Sequence, residues 1–235
     1  MPAGTPENRI AYAAMVETLD HLVGRVLDEI DALHLTQNTL LVFLSDNGGH
    51  PDHTSNAPLR GSKWNLYEGG IREPFIVRWP GHVPAGTTSD TVVHGCDLLP
   101  TFGEIAGASP NVDALDGVSL LPVFKDPHAT LKRTRPLLWH FPYYHPEKGF
   151  AKAPKTIGVA DFVTSQTRPQ SAIRVDDWKL LRFDEDNRVE LYDLKTDLPE
   201  QHNLAASQPE VADRLHALLK AELKNRGARL ARPRP

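Results

Sequence analysis

Cysteine is almost missing from the 235 residues. Cys96 stands alone, which excludes an intramolecular disulfide framework and any zinc site built from several thiolates. The compartment stays open, because chains without disulfides occur everywhere. Long apolar runs are missing as well: none approaches the roughly 20 residues that a membrane span needs, and the mean hydropathy is -0.38. No transmembrane segment is expected. Positive charge is not in excess, since 26 Lys and Arg stand against 30 Asp and Glu for a net charge of -4. Nucleic-acid recognition leans on basic surface, so that partner class is not expected. The opening residues MPAGTPENRIAYAAMV lack a basic stretch followed by an apolar core of roughly 7–15 residues, so no export signal is read at Met1. What is present is ordinary for a globular protein, with 40% apolar and 24% charged residues in a chain long enough for a real core.

From Ile10 to Leu35 the apolar residues Tyr12, Met15, Val16, Leu19, Leu22, Val23, Val26, Leu27, Ile30 and Leu33 recur at intervals of three and four. That spacing predicts a long amphipathic helix. Thr39–Leu44 is a continuous apolar run of strand length ended by Ser-Asp-Asn-Gly-Gly, which reads as a fully buried strand in a parallel, helix-covered sheet. Pro74–Trp79 reads as a second buried strand, and the polar stretch Gly48–Gly70 between them is too long for an idle connector. Asp97 is expected to cap a helix running through Leu98, Phe102 and Ile105. A change of character near residue 130 suggests a boundary. Beyond it, short runs at 136–141, 171–175, 179–183 and 189–192 predict a small antiparallel sheet, and Pro209 opens an amphipathic helix through Leu215, Leu219 and Leu223. The fold class expected is α/β, with part of a mixed or parallel sheet flanked by helices over 1–130. A small α+β subdomain over 131–225 follows, then a basic tail over 226–235 that carries Arg226, Arg229, Arg232 and Arg234.

Asp46-Asn47 ends a predicted strand, where open α/β sheets place ligands. A carboxylate beside an amide carbonyl offers two hard oxygen donors suited to Ca²⁺ or Mg²⁺, and a simple turn is the other reading of the same dipeptide. Lys63, in a loop with glycines at 61, 69 and 70, is either a contact for an anion and a developing negative charge or a solvated side chain. His50 and His53 flank Asp52 and could face a substrate, hold zinc or belong to a flexible loop. Arg60 holds either the loop or a substrate anion. His140, with Tyr143, Tyr144 and His145, offers an aromatic rim for a sugar or aryl ring, or else core packing.

Taken in order, Ser45-Asp46-Asn47-Gly48, Pro58-Leu59-Arg60-Gly61-Ser62-Lys63, Tyr67-Glu68-Gly69-Gly70-Ile71-Arg72-Glu73-Pro74 and Trp79-Pro80-Gly81 resemble the second half of the type I sulfatase catalytic domain. The likeness continues through Asp97-Leu98-Leu99-Pro100-Thr101, Leu115-Asp116-Gly117-Val118-Ser119-Leu120, Asp177-Trp178-Lys179-Leu180 and Glu190-Leu191-Tyr192-Asp193-Leu194 to Asp197, Glu200 and Asn203-Leu204-Ala205. The resemblance implies an alkaline-phosphatase-like α/β fold that hydrolyses sulfate esters, with Asp46 and Asn47 as Ca²⁺ ligands. Lys63 would then contact the sulfate, and His50, Arg60 and His140 are the candidate substrate-binding residues. The substrate expected is a sulfated small molecule or carbohydrate.

The family's nucleophile is a formylglycine made from Cys/Ser-x-Pro-x-Arg, and the sequence has no such motif. Cys96 lacks the Pro-x-Arg and reads as a small buried residue. The family's paired aspartates, its Lys-x-His segment and its upstream histidine are also absent, so the chain resembles a carboxyl-terminal half that is inactive alone. Its strand near Leu40–Leu44 would then expose apolar surface to a complementary segment or a second copy. An inactive remnant or binding module, and a phosphonate or phosphate monoester hydrolase of the same superfamily, are the alternatives. For a full-length family member the expectation is a periplasmic or secreted location.

Overall fold

The computed structural model describes residues 4–108, 114–144 and 168–231. The chain divides into two compact units that interleave in sequence. One gathers the chain up to Leu19, Ser45–Glu73 and everything from Leu137 onward; the other holds Asp20–Leu44 and Pro74–Pro136. Ser45–Glu73 thus groups with the residues from Leu137 onward, and Asp20–Leu44 with Pro74–Pro136.

Helix α1 (Glu7–Ala32) is the one that the spacing of three and four predicts. Its apolar stripe is uncovered: no residue of α1 is buried, and Met15 is 70% exposed. Strand β1 (Leu41–Leu44) pairs with β2 (Phe75–Arg78) in register Leu41↔Arg78 to Leu44↔Phe75. The pair is antiparallel and two-stranded, which corrects the expected parallel partner. A parallel return needs a crossover, usually a helix of a dozen or more residues, whereas the segment between these strands contains only the one-turn helix α2 (Glu68–Ile71). Full burial is not found either, with Leu44 and Ile76 exposed. Among the described residues no helix is long and apolar enough to cross a membrane.

The rest of that unit is organised around Asp97, which is fully buried. Helix α3 (Leu98–Ile105) starts beside it, but Asp97 is not its side-chain cap. Its backbone, at φ -74 and ψ -18, is already helical, and a cap needs an extended residue. The carboxylate instead accepts from the His94 N–H (2.7 Å) and Val118 N–H (2.9 Å) and binds both terminal nitrogens of Arg133 (2.8 and 2.6 Å). Thr101 adds a second tether: its hydroxyl donates to the Asp97 carbonyl and accepts from the Leu120 N–H, just before helix α4 (Leu121–Lys125).

In the other unit, strands β3 (Leu137–Phe141), β4 (Gln170–Val175), β5 (Trp178–Phe183) and β6 (Val189–Asp193) form the expected antiparallel sheet in the order β3-β4-β5-β6. Asp176, in the left-handed region at φ 55, closes the tight β4–β5 turn. Side chains alternate across a strand, and the two faces have different tenants. Ile173, Leu180 and Leu191 pack under Leu215, Leu219 and Leu223 of the C-terminal helix α5 (Pro209–Asn225). Each fully buried Leu there contributes about 1.5–3 kcal/mol. The opposite face carries Ala172, Leu181, Phe183 and Tyr192, and these pack against Leu66 and Tyr67 from the Gly48–Gly70 stretch. That stretch is therefore seated on the sheet face turned away from α5.

Candidate functional site

Three pieces of Ser45–Glu73 are laced together by backbone. The Gly48 N–H donates to the Gly70 carbonyl at 3.0 Å, the Lys63 N–H to the Gly49 carbonyl at 3.2 Å and the Gly69 N–H to the Arg60 carbonyl at 2.7 Å. Asn56 stitches the same place from its side chain, accepting from the Gly49 N–H and donating to the carbonyls of Gly49 and Gly61. The crossing leaves no room for side chains: a Cβ on Gly48 would lie 1.9 Å from the Gly69 carbonyl oxygen, and one on Gly70 2.1 Å from that of Asn65. Glycine is required there by volume, not only by backbone freedom.

This lacing fixes the Lys63 turn to the turn that carries Asp46 and Asn47, which sequence reading picked out separately. Asp46 is exposed, and Asn47 and Lys63 are half-buried. The Lys63 ammonium sits 5.0 Å from the Trp64 ring centroid. Trp64 has φ 75, an outlier for a bulky side chain, and such strain gathers at functional sites. His50 meets the Trp64 ring edge-on at 4.8 Å and the His53 ring at 4.7 Å, so His50 borders the Lys63 turn. Its Nδ1 accepts from the Asp52 N–H. Among the described residues no group of three or more His, Cys, Asp or Glu stands ready to hold a metal.

Arg60 and His140 are placed elsewhere. The Arg60 guanidinium donates to the Tyr192 hydroxyl (2.9 Å) and the Glu200 carbonyl (3.1 Å) and stacks 4.2 Å from the Tyr67 ring centroid. Of its two sequence readings, this geometry matches holding the loop. His140 lies on the α5 side of the sheet, with Nδ1 2.8 Å from the Ser171 hydroxyl and Nε2 2.6 Å from the Arg229 carbonyl. The structure does not bring His140 to the Lys63 turn; its neighbour His145 lies outside the described residues, as do Arg232 and Arg234. Cys96 is half-buried, and burial, followed by the Asp97 charge, pushes its thiol up to about 11. A thiol held protonated is not a nucleophile.

Sequence reading included Lys179, Glu190 and Glu200 in the resemblance but assigned no role to the residues beneath the loop. Lys179 on β5, fully buried, donates to Glu68 at 2.8 Å, and Glu200 lies 2.8 Å from the same ammonium. One Glu200 oxygen also accepts from the Glu68 N–H. Nearby, the Tyr67 hydroxyl donates to Glu190 at 2.6 Å, and the side-chain Oε1 of Gln170 accepts from the Leu66 N–H at 3.1 Å. The available signal was charge at inward strand positions, since Lys179 and Glu190 interrupt apolar runs. Glu73 was given no role either: one of its oxygens is buried without a hydrogen-bond partner. Burial, with the Asp46 charge adding to it against a Ser45 hydrogen bond, pushes its carboxyl up to about 7.

Burial pushes Glu200 up to about 7, with Lys179 opposing and Glu68 reinforcing the shift, whereas at Glu68 the Lys179 charge overcomes burial and holds the carboxyl below its ordinary 4.5. A carboxyl raised on folding favours the folded state below its unfolded value, and that contribution is lost as pH rises through about 7. Urea unfolding at stepped pH checks this. Between about pH 4.5 and 7 wild-type stability falls relative to Glu200→Gln, and parallel curves for the two proteins would contradict the assignment.

Comparison with known proteins brings these features under one family. Residues 62–228 match the family model described as N-sulphoglucosamine sulphohydrolase, C-terminal, and residues 3–108 match the model described as Sulfatase. A sulfatase of Formosa agariphila is 37% identical over 215 residues, covering 84% of this chain and 36% of that protein. Human arylsulfatase A is 35% identical over 218 residues, covering 87% and 42%. The chain thus spans well under half the length of these relatives. Among solved structures, i-CgsB in complex with k-i-k-neocarrahexaose superposes with a TM-score of 0.71 at 29% identity, over 96% of this chain and 44% of that one. A second, solved with its substrate D-glucosamine-2-N,6-O-disulfate, gives 0.66 at 26% identity, over 91% and 40%. In sequence and in fold, the chain belongs to the sulfatase family.

Proposed function

We propose that this chain supplies the sulfate-binding and charge-stabilising part of a site that hydrolyses sulfate esters of carbohydrates. The observation that carries the reading is the backbone tie from Lys63 to Gly49, which joins the lysine turn and the Asp46-Asn47 turn in one laced loop. Lys63 contacts the sulfate and stabilises negative charge on the leaving oxygen, as a flexible point charge can. His50 borders the sugar side of that contact. Arg60 serves by holding the loop. The attacking group is not among these residues, because Cys96 is held as a thiol and no Cys/Ser-x-Pro-x-Arg occurs. The sulfated carbohydrate is suggested by the ligands of the two solved structures, a carrageenan oligosaccharide and a glucosamine disulfate.

Asp46 and Asn47 are the residues to hold Ca²⁺. Their oxygens are of the hard kind that this ion takes, and Glu73, with one buried oxygen lacking a hydrogen-bond partner and a carboxyl raised by burial and, to a smaller extent, by the Asp46 charge, is a further oxygen donor that fits such a place. A bound Ca²⁺ would supply positive charge to polarise the sulfate. Ca²⁺ usually takes about 6–8 oxygens, so the expected affinity of the chain is on the order of millimolar or poorer. Titration calorimetry tests both halves: micromolar Ca²⁺ affinity would mean that further ligands exist. Binding of glucosamine 6-sulfate that is unchanged in Lys63→Ala would show that the lysine does not contact the sulfate.

A further inference from the structure

The glycines that let the loop cross itself leave the Glu68-Gly69-Gly70 turn without an apolar side chain, although Leu66 and Tyr67 just before it pack on the sheet. Gly69 and Gly70 cannot bear side chains, since a Cβ there would lie 2.4 Å from the Gly61 carbonyl oxygen and 2.1 Å from that of Asn65. The one side chain that the Glu68-Gly69-Gly70 turn offers to the sheet below is a carboxylate. On that sheet face, where Leu181 and Phe183 continue the β5 row, alternation would place a hydrophobe at position 179; the residue is lysine, at 0% exposure.

The ammonium meets Glu68 and Glu200 at 2.8 Å each. Glu200 returns to the loop by accepting the Glu68 N–H at 2.6 Å. Arg72 reaches the outer oxygen of Glu68 at 3.4 Å from the solvent side, and Arg174 adds positive charge. A buried ionic group of this kind is often less stabilising than packed hydrophobes would be, and its best-attested use is to fix one arrangement. In this fold the arrangement fixed is that of the turn five residues beyond Lys63.

We propose that Lys179 is a positioning residue for Lys63, fastening the Lys63 loop to the four-stranded sheet through Glu68 and Glu200. This rests on the reading of Lys63 as the sulfate contact. The far end of the loop is pinned at Glu68, the Gly69 N–H passes that constraint to Arg60 and the Gly70 carbonyl passes it to Gly48. Lys63 is held between these points, so the direction from which its ammonium approaches an anion is set from β5.

Deuterium exchange on the whole chain tests the pinning. Lys179→Met by itself strands two buried carboxylates and can unfold the chain, so the decisive variant is K179M combined with E68Q and E200Q, which leaves no buried charge behind. The Lys63 and Gly69 amides should exchange at least about tenfold faster, while those of β5 and α5 stay within about threefold of wild type. No change at the loop, or an equal change in both sets, overturns the proposal.

Affinity for glucosamine 6-sulfate in four proteins gives the second readout: wild type, Lys63→Ala, the triple variant and their combination. If Lys179 acts through Lys63, the triple variant weakens binding only while Lys63 is present; additive losses would show that it does not. If wild type binds no sulfated sugar, the sulfate reading fails, and the exchange result still decides the pinning.

Discussion

Alanine at Lys63 is expected to lower kcat/KM for a sulfated sugar by about 10²–10³, the scale of one lost charge-stabilising donor, in a chimera that joins the whole chain to the formylglycine-bearing part of a sulfatase. The loss falls mainly on kcat, because negative charge on the leaving oxygen is greatest in the transition state. Asp46→Ala should behave differently in the same chimera. If Asp46 holds Ca²⁺ as proposed, the change removes a donor from the ion, so part of the loss returns with excess Ca²⁺, whereas added Ca²⁺ does nothing for Lys63→Ala. Two variants that respond alike to Ca²⁺ would show that the lysine and the Asp-Asn turn do not have separate roles. Activity in Lys63→Ala within threefold of the parent would mean that another cation faces the sulfate.

The second large effect lies away from this loop. Asp97→Ala is expected to lower unfolding free energy by about 3–5 kcal/mol, the usual result of removing one partner from a buried ion pair. Asp97 is fully buried, and Arg133 keeps 16% of its side chain exposed. After truncation the guanidinium has no carboxylate, and the His94 and Val118 N–H groups lose their acceptor. A drop of that size is a large part of the roughly 5–15 kcal/mol that holds most domains together. Asp97→Asn keeps one oxygen acceptor, turns the other into a donor and removes the charge, and should fall between the two. Urea titration separates the three proteins, and a loss under about 1 kcal/mol for alanine would place the pair among exposed, weakly contributing bridges.

The local elements were legible because their signals are local. The spacing in α1, the short runs of β3 to β6 and the Pro209 start of α5 each lie within one stretch of chain. Partnership was not legible. Thr39–Leu44 reads as a buried strand because it is uniformly apolar, yet β1 pairs with one neighbour and leaves Leu44 exposed. Asp97 looks like a cap from its place before Leu98-Leu99-Pro100, and nothing near it in sequence announces Arg133. At the site, Asp46, Asn47 and Lys63 were visible as an ordered series, whereas His140 looked equivalent to His50 although the sheet places it on the α5 side. Lys179, Glu190 and Glu200 stood in that series without a role, because each sits more than a hundred positions from its loop partner.

That separation bears on how the protein is born. Glu68 and Glu200 are 132 positions apart, and a ribosome adding about 5–20 residues per second takes roughly 7–26 s to cover the gap. Glu200 appears only at the end of that interval and β5 shortly before it, so the glycine crossing around Lys63 waits for its anchors. Distant closures are slow because chain entropy is lost before any contact compensates for it. The lysine turn can therefore reach its final arrangement only once β5 and Glu200 have been made.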